Sequence, residues 1–437
     1  MKKLFTLSAI LVLYSGIAIA QPLINSWLLN TNGRRASQYF NNGGMPPTYN
    51  FVNMTDSADA VRVCYTASDV YVHCQGLTVN MGKWLNPGGA VAQNYTFRFP
   101  RNPVQATTKV ISSKLGSIGL LTNGVPIFGL SNANSWSGTA NANPQAGGRG
   151  IWNVEVGLSE GFVLDTALGA HPQQQGAYHS HTTPFRLYKR VATNLHSPLV
   201  GYAYDGFPVY GPYGYTDPND ATSAVTRMRT GYSLRNITTR TTMPGGAAAT
   251  QNGPPVNGTY PIGTYCEDYE WLASNGGTLD EYNGRFCITP EYPEGTYAYF
   301  VTMDAAGKAA FPYYIGIYYY GQPDAGNFSN GPQGNGLTIP AGATCRTDLP
   351  TSVSNTVAGG DLLSVFPNPS AGNFTLAGNG HGYNKVIVFN SLGKPVYTST
   401  VAGNENHEIT LHSAGIYLLR CEDTFSGKTA LKTVVVK

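Results

Sequence analysis

Hydrophobic and polar residues alternate in short runs along most of this chain, and Gly, Asn and Pro separate the runs. Such period-two alternation places side chains on two opposite faces, as half-buried β-strands require. Clear examples are VRVCY (61–65), VYVHC (70–74), NYTFRFP (94–100), LLTNGVPIFG (120–129), GTYAYFVTMD (295–304) and FPYYIGIYYYG (311–321). No long amphipathic helix stands out, so the pattern predicts a mainly all-β fold with short helical insertions.

The composition also favours a β-rich fold, and the charge argues against nucleic-acid binding. Only 12% of the 437 residues are charged, and the chain contains 52 Gly, 28 Pro and 29 Tyr. Tyr-rich strands separated by turn residues favour sheet packing over charged helical faces. The net charge is +3 with no block of Lys or Arg, so we predict no nucleic-acid partner.

The first twenty residues, MKKLFTLSAILVLYSGIAIA, have the pattern of a secretory signal peptide. Lys2 and Lys3 precede an apolar stretch over 4–17, and Ala18-Ile19-Ala20 is a small-residue cleavage site. We therefore predict a signal peptide over 1–20 and a mature chain that acts outside the cytoplasm. No later stretch approaches 18 apolar residues, so no transmembrane span is predicted in the mature chain.

Cysteines in an exported chain are disulfide candidates. The six are Cys64, Cys74, Cys266, Cys287, Cys345 and Cys421. The first two belong to VRVCYTASDVYVHC, which is predicted to form a hairpin and to bring them within bridging reach. The third and fourth flank an acidic, Gly-rich loop and are the next natural pair. The last two remain unassigned.

The chain divides into three parts after the predicted signal. Residues 21–345 form a β-rich body, with a potential break between sub-domains near 140–150. Residues 346–360 are small and polar and are predicted to be a linker. Residues 361–437 contain short alternating strands at regular spacing, which is typical of a small β-sandwich.

This third part resembles the C-terminal sorting domain (type A) of proteins exported by type IX secretion. The resemblance rests on DLLSVFPNPSAGNFTL, KVIVFNSLGKPVY, GIYLLR and KTALKTVVVK, which occur in the family's order over 361–437. It implies passage through the periplasm and recognition by the type IX secretion machinery. The protein would then be secreted or attached to the outer surface.

Three of the eight histidines fall within GAHPQQQGAYHSH. His179 and His181 are two residues apart, so a strand would point both imidazoles to one face. PQQQG (172–176) is a plausible reversal that would bring His171 beside them. Three neutral imidazoles at one point are a common ligand set for zinc or copper. A proton-transfer site without metal and hydrogen-bonded structural histidines are the two other interpretations.

Five further residues are candidates for the same site or for another one. Asp165 and Asp205 could orient an imidazole through its second nitrogen or ligate directly, and His196 could reach the cluster. Asp280 and Glu281 share one short loop and could hold calcium, although their spacing is not that of an EF-hand. A turn stabilised by side-chain hydrogen bonds is the slightly favoured interpretation of that loop.

The stretch GAYHSHTTPF also resembles the motif after which YHYH-domain proteins are named. Ser180 replaces the second Tyr of that motif, but both histidines are present. Further stretches agree in order over nearly all of 21–325: SWLLNTNG, NGVPIFG, DTALGAHP, LVGYAYDGFPVYGPYGY, LDEYNGRF, TPEYPEGTYAYFVTMD and FPYYIGIYYYG. The resemblance implies an exported protein, and it carries no assigned activity with it.

Taken together, these patterns predict an exported or cell-surface YHYH-domain protein that binds a metal ion through a histidine cluster. Zinc or copper is the expected cofactor, calcium is a weaker candidate, and whether the site is catalytic stays open. The alternative is a non-catalytic binding or adhesion module for a glycan or protein, in which the histidines are structural.

Overall fold

The computed structural model describes residues 21–112, 116–141, 150–189, 191–328, 337–346, 364–377, 383–390, 394–401, 406–422 and 429–437. The predicted signal peptide, most of the potential break near 140–150 and nearly all of the predicted linker lie outside these residues. Within them, the helices are short: α1 (Pro22–Asn25), α2 (Val156–Ser159) and α3 (Phe185–Tyr188). None of them is long and apolar enough to cross a membrane.

Strands dominate the described part of the chain, as the alternating pattern predicts. Those before residue 346 are β1 (Arg35–Asn41), β2 (Tyr49–Ser57), β3 (Ala60–Tyr65), β4 (Asp69–Cys74), β5 (Tyr95–Pro100), β6 (Gln105–Ile111), β7 (Ser117–Leu121), β8 (Pro126–Phe128), β9 (Ser131–Ser135), β10 (Asn153–Glu155), β11 (Ala170–Pro172), β12 (Tyr178–Ser180), β13 (Leu199–Ala203), β14 (Pro208–Tyr210), β15 (Tyr213–Tyr215), β16 (Val225–Arg227), β17 (Tyr232–Leu234), β18 (Tyr269–Trp271), β19 (Gly284–Cys287), β20 (Thr296–Phe300), β21 (Tyr318–Gly321) and β22 (Thr344–Cys345).

The later strands are β23 (Val365–Phe366), β24 (Asn373–Leu376), β25 (Lys385–Phe389), β26 (Pro395–Thr400), β27 (His407–Thr410), β28 (Gly415–Glu422) and β29 (Thr429–Val436). They form a three-stranded sheet, β23-β24-β27, and a four-stranded sheet, β26-β25-β28-β29. Apolar side chains from both sheets share one core, for example Phe374 and Ile409 from the first and Val388 and Leu419 from the second. This is the small sandwich that the sequence predicts, and the mainly all-β fold class is confirmed.

The largest sheet among the described residues has eight strands, in the order β11-β12-β8-β7-β13-β14-β20-β19. Its central strands are hydrophobic on both faces: all five residues of β13 and all three of β14 are buried. Two-sided burial explains why these runs read as nearly continuous apolar segments. The Asn-Gly turn predicted in LLTNGVPIFG joins β7 to β8, which pair antiparallel, and Gly124 adopts a φ of 75° there.

A second sheet, β22-β3-β4-β5, contains the predicted hairpin of β3 and β4 but not the predicted disulfide. Cys64 lies opposite Tyr71, and Cys74 lies opposite Ala60. Because the two thiols stand at different levels of the ladder, they do not pair. Instead β22 runs antiparallel to β3 and places Cys345 directly opposite Cys64, and these two form the disulfide.

The second predicted disulfide is also wrong. Cys74, Cys287 and Cys421 are free and buried, and Cys266, which is also buried, forms no disulfide with Cys287. Cys266 donates to the carbonyl of Leu130 at 3.4 Å, so the fold places its thiol against a different part of the chain. Flanking one loop in the sequence was therefore not enough to bring Cys266 and Cys287 together.

Candidate metal centre

The histidine cluster lies at one edge of the eight-stranded sheet, where β11 is the last strand. β11 and β12 pair antiparallel, and His171 stands directly opposite His179. The predicted reversal between them is confirmed. It contains Gln175 and Gly176 at φ values of 70° and 74°, a left-handed conformation that closes the turn. His181 follows β12 and shares its face with His179, as two-residue spacing dictates.

The three imidazoles converge on one point. One ring nitrogen from each histidine lies within 4.8 Å of the other two. The closest approach is 2.9 Å, between Nε2 of His179 and Nε2 of His181. All three side chains are buried, with exposed fractions of 5% for His171, 1% for His179 and 3% for His181. A group of this kind can donate three nitrogen ligands to one ion.

The other ring nitrogen of each histidine has its own partner. Nδ1 of His179 lies 2.8 Å from the Ala177 carbonyl oxygen, and Nδ1 of His181 lies 3.0 Å from that of Gly129. A carbonyl can only accept, so both Nδ1 atoms carry the proton and both Nε2 atoms present a lone pair. Nδ1 of His171 lies 2.9 Å from Oδ1 of Asn86. Such contacts are the usual way in which proteins orient imidazole ligands of a metal.

Two lone pairs that face each other at 2.9 Å repel. A cation between them removes the repulsion, and in a tetrahedral zinc site with Zn–N bonds of about 2.0–2.1 Å, neighbouring nitrogens stand roughly 3.3 Å apart. The donor set and its spacing therefore fit a metal ion better than they fit three unrelated structural histidines.

Glu160 is the residue that sequence reasoning missed. Its Oε2 lies 3.2 Å from Nε2 of His171 and 4.0 Å from Nε2 of His181, and its side chain is 27% exposed. It directly follows α2, whose N-terminus is capped by the Glu155 carboxylate through the amides of Gly157 and Leu158. No spacing rule links Glu160 to the histidines, because a separate turn of the chain brings it there.

Burial favours the neutral forms of His179 and His181. Desolvation, assisted by the neighbouring His181 and His171, lowers the pKa of His179 well below its usual value. Desolvation and His171 likewise lower the pKa of His181 to about 4. For Glu160, burial opposes ionisation, but the contacts with His171 and His181 outweigh it and lower the pKa. Neutral nitrogens beside an ionised carboxylate are the forms that ligate metals.

An aromatic wall closes the cluster. The Phe128 ring stacks on the His179 ring with centroids 3.8 Å apart and meets the His181 ring edge-on at 5.8 Å. Phe128 is 7% exposed. An apolar wall of this kind excludes water and strengthens electrostatic interactions inside the site.

The opposite face of β12 has a different role. Tyr178 and Ser180 point away from the imidazoles, and Ser180 makes a 2.6 Å hydrogen bond with the Tyr314 hydroxyl. Asp165 belongs to this face: it accepts from the Tyr178 hydroxyl and from the amides of Ala167 and Leu168 at 2.8 and 2.7 Å. The predicted contact of Asp165 with an imidazole is therefore not formed, since its oxygens are occupied in holding the turn before β11.

The remaining candidates lie apart from the cluster. His196 packs against Tyr210, and its Nδ1 lies 2.8 Å from the Ser197 carbonyl oxygen. Asp205 accepts from the Tyr299 hydroxyl at 2.6 Å and from the Gly321 amide at 2.9 Å. Neither belongs to the metal-competent group of the described residues, because other contacts hold them elsewhere.

The Asp280–Glu281 loop is a turn held by side-chain hydrogen bonds, which is the interpretation that the sequence slightly favoured. Asp280 accepts from the Tyr297 hydroxyl and from the amides of Tyr282 and Gly284 at 2.8, 2.9 and 3.2 Å. Glu281 points elsewhere and receives a 2.5 Å hydrogen bond from Lys109. Among the described residues, the two carboxylates do not group with a third His, Cys, Asp or Glu side chain.

Comparisons with known proteins agree with the architecture. The YHYH protein model matches residues 96–311, which include the histidine cluster, and the secretion system C-terminal sorting domain model matches residues 364–437. Among curated proteins, none matches the chain.

Among solved structures, the chain is similar to PorZ, described as an essential bacterial surface component of the type-IX secretion system of Porphyromonas gingivalis. The identity is 12% and the TM-score 0.15, so this likeness carries no argument. The match covers 87% of this chain and 45% of that one, which means that the chain spans less than half of the PorZ chain.

The sorting domain implies involvement of the type IX machinery and secretion or attachment at the cell surface. The matched regions, the sandwich and the histidine motif on β12 identify a YHYH domain over residues 96–311, followed by a secretion-system C-terminal sorting domain over residues 364–437.

Proposed function

We propose that this protein is delivered through the periplasm to the cell surface or beyond, and that its body binds one transition-metal ion there. The ligands are Nε2 of His171, His179 and His181, and Glu160 completes the set. The observation that carries the proposal is the pair of Nε2 atoms of His179 and His181 at 2.9 Å, with both Nδ1 atoms committed to carbonyl oxygens.

The donor chemistry points to zinc or copper. Imidazole nitrogens suit both ions, whereas calcium and magnesium prefer cages of oxygen ligands. A bound ion would supply a Lewis acid or, for copper, a redox centre. The chain's own residues provide the rest: Asn86 and two carbonyls orient the rings, and Phe128 keeps water away.

Glu160 determines whether the proposed site keeps an open coordination position. A fourth protein ligand closes a tetrahedral zinc site, whereas catalytic zinc sites keep one position for water or substrate. Because Glu160 lies closer to His171 than to His181 and is partly exposed, we propose that it is the exchangeable ligand.

The test is metal content, measured by mass spectrometry on the chain that lacks residues 1–20 and carries no His tag. We expect about one equivalent of zinc or copper in the wild type, and loss of nearly all of it in His179→Ala/His181→Ala. A matched control, His73→Ala/His412→Ala, removes two histidines outside the cluster and should retain the metal.

Circular dichroism on all three proteins separates loss of ligands from loss of fold. If neither the wild type nor the control binds metal after incubation with zinc and copper salts, the proposal is wrong. If the cluster variant stays folded and keeps its metal, the ligands have been misassigned.

A further inference from the structure

A concave surface lies at the other edge of the eight-stranded sheet, where β19 is the last strand. It is a cleft of about 450 Å³, bounded by β14, β19, β20, β21 and the segment between β5 and β6. A volume of this order suits a small ligand. We call it the aromatic cleft because Phe207, Phe286, Tyr292, Tyr297 and Tyr320 line it.

The floor of the aromatic cleft is a rigid group of rings. The rings of Tyr297 and Tyr320 stack with centroids 3.5 Å apart and an interplanar angle of 3°. Phe207 meets both edge-on, at 5.5 and 5.3 Å. The Tyr297 hydroxyl donates to Oδ1 of Asp280 at 2.8 Å, which locks the ring orientation. A ligand that settles on this floor therefore loses little binding energy to side-chain ordering.

Phe286 forms an exposed aromatic wall. Its side chain is 60% exposed on the edge strand β19. Gly295 makes room for it: a Cβ at that position would come within 2.8 Å of the Phe286 ring. The chain thus keeps the ring at the cleft by omitting a side chain opposite it, rather than burying the ring.

The rim of the aromatic cleft offers free polar groups. The side-chain amides of Asn102 and Gln105 are exposed and make no hydrogen bond to another described residue. Arg101 donates through Nε, at 2.7 Å, and through Nη2 to Oε1 of Gln21, and through Nη1 to the carbonyls of Thr66 and Ala67 at 2.5 and 3.4 Å. These acceptors are neutral, and Arg101 forms no ion pair within the described residues, so its positive charge is uncompensated.

We propose that the aromatic cleft binds an acidic saccharide. A sugar ring presents an apolar C–H face to an aromatic ring, hydroxyl groups to amides, and a carboxylate or sulfate group to the guanidinium of Arg101. A purely apolar ligand would leave the amides and the charge unpaired. This site needs no metal, so it is independent of the histidine cluster.

The test is binding of fluorescently labelled protein, lacking residues 1–20, to an array of uronic acid-containing, sialylated, sulfated and neutral oligosaccharides. We expect binding to acidic members. Titration calorimetry with the strongest of them should show a loss of roughly tenfold or more for Phe286→Ser, because burying a Phe side chain contributes about 1.5–3 kcal/mol.

A matched control is Phe51→Ser, which removes another exposed ring, 48% accessible, from β2 outside the cleft. It should bind like the wild type. A second cleft variant, Gln105→Ala, should weaken binding while leaving the fold intact. No binding to any acidic glycan, equal binding to neutral ones, or unchanged affinity in both cleft variants would overturn the proposal.

Discussion

The two edges of the eight-stranded sheet use aromatic and polar side chains in opposite ways. At the β11 edge, the imidazoles are at most 5% exposed and their nitrogens face one another. At the β19 edge, Phe286 is 60% exposed and the rim amides are free. Buried polar atoms must find partners inside the fold, whereas exposed rings gain by being covered from outside. The first edge is thus built for an ion held by the protein, the second for a ligand that arrives from solvent.

The largest expected difference between the edges concerns two phenylalanines. Phe128→Ala removes the buried ring that stacks on His179 and should lower the free energy of unfolding by about 3–5 kcal/mol. Phe286→Ala removes an exposed ring and should change it by about 0.5 kcal/mol or less. Urea denaturation of the metal-free proteins measures both. Equal losses of unfolding free energy in the two variants would contradict the contrast between the edges, since they would mean that Phe286 is structural.

Acid should destabilise the metal-free protein through its buried histidines. Burial lowers the pKa of His181 and of His196 to about 4, whereas unfolded histidine titrates near 6.5. Between these values the unfolded chain binds more protons, so the free energy of unfolding falls as the pH falls from 6.5 towards 4. Each histidine should contribute on the order of 2 kcal/mol of loss between pH 7 and pH 5.

His196→Phe distinguishes the contribution of His196 to this pH dependence from that of the histidine cluster. His196 packs against Tyr210 and Phe300, on the β14–β20 side of the sheet, and Phe does not titrate. Denaturation at several pH values should show a smaller pH dependence in the variant, with the remainder due to His179 and His181. An unchanged slope would show that His196 is not buried in its neutral form.

The smallest expected effect is on metal affinity. Asn86→Leu removes the acceptor of His171 Nδ1 without removing a ligand, and loss of such a partner typically weakens metal binding about 10–100-fold. Competition with a chromophoric chelator measures this change. Asn102→Leu, at the rim of the aromatic cleft, is the matched control and should leave metal affinity unchanged. If both variants behave alike, Asn86 does not position His171.

Much of the histidine edge was predictable from the sequence because it depends on neighbouring residues. Two-residue spacing places His179 and His181 on one face, and PQQQG supplies the turn that returns His171. The aromatic cleft was not predictable, since Arg101, Phe286 and Tyr320 come from segments far apart in the chain. Asp165, Asp205 and His196 were candidates by proximity in the sequence, but the fold gave their polar atoms other partners.

The sequence by itself determined the all-β class, the sorting domain and the local geometry of the histidine motif, because alternation and turn chemistry act over a few residues. Only the tertiary structure decided which distant groups meet. Asn86 reaches His171 across 85 positions, Gly129 reaches His181 across 52, and Cys64 pairs with Cys345 across 281. The physical reason is that strand order and register, set by packing of the whole core, choose these contacts, and no short stretch of sequence encodes them.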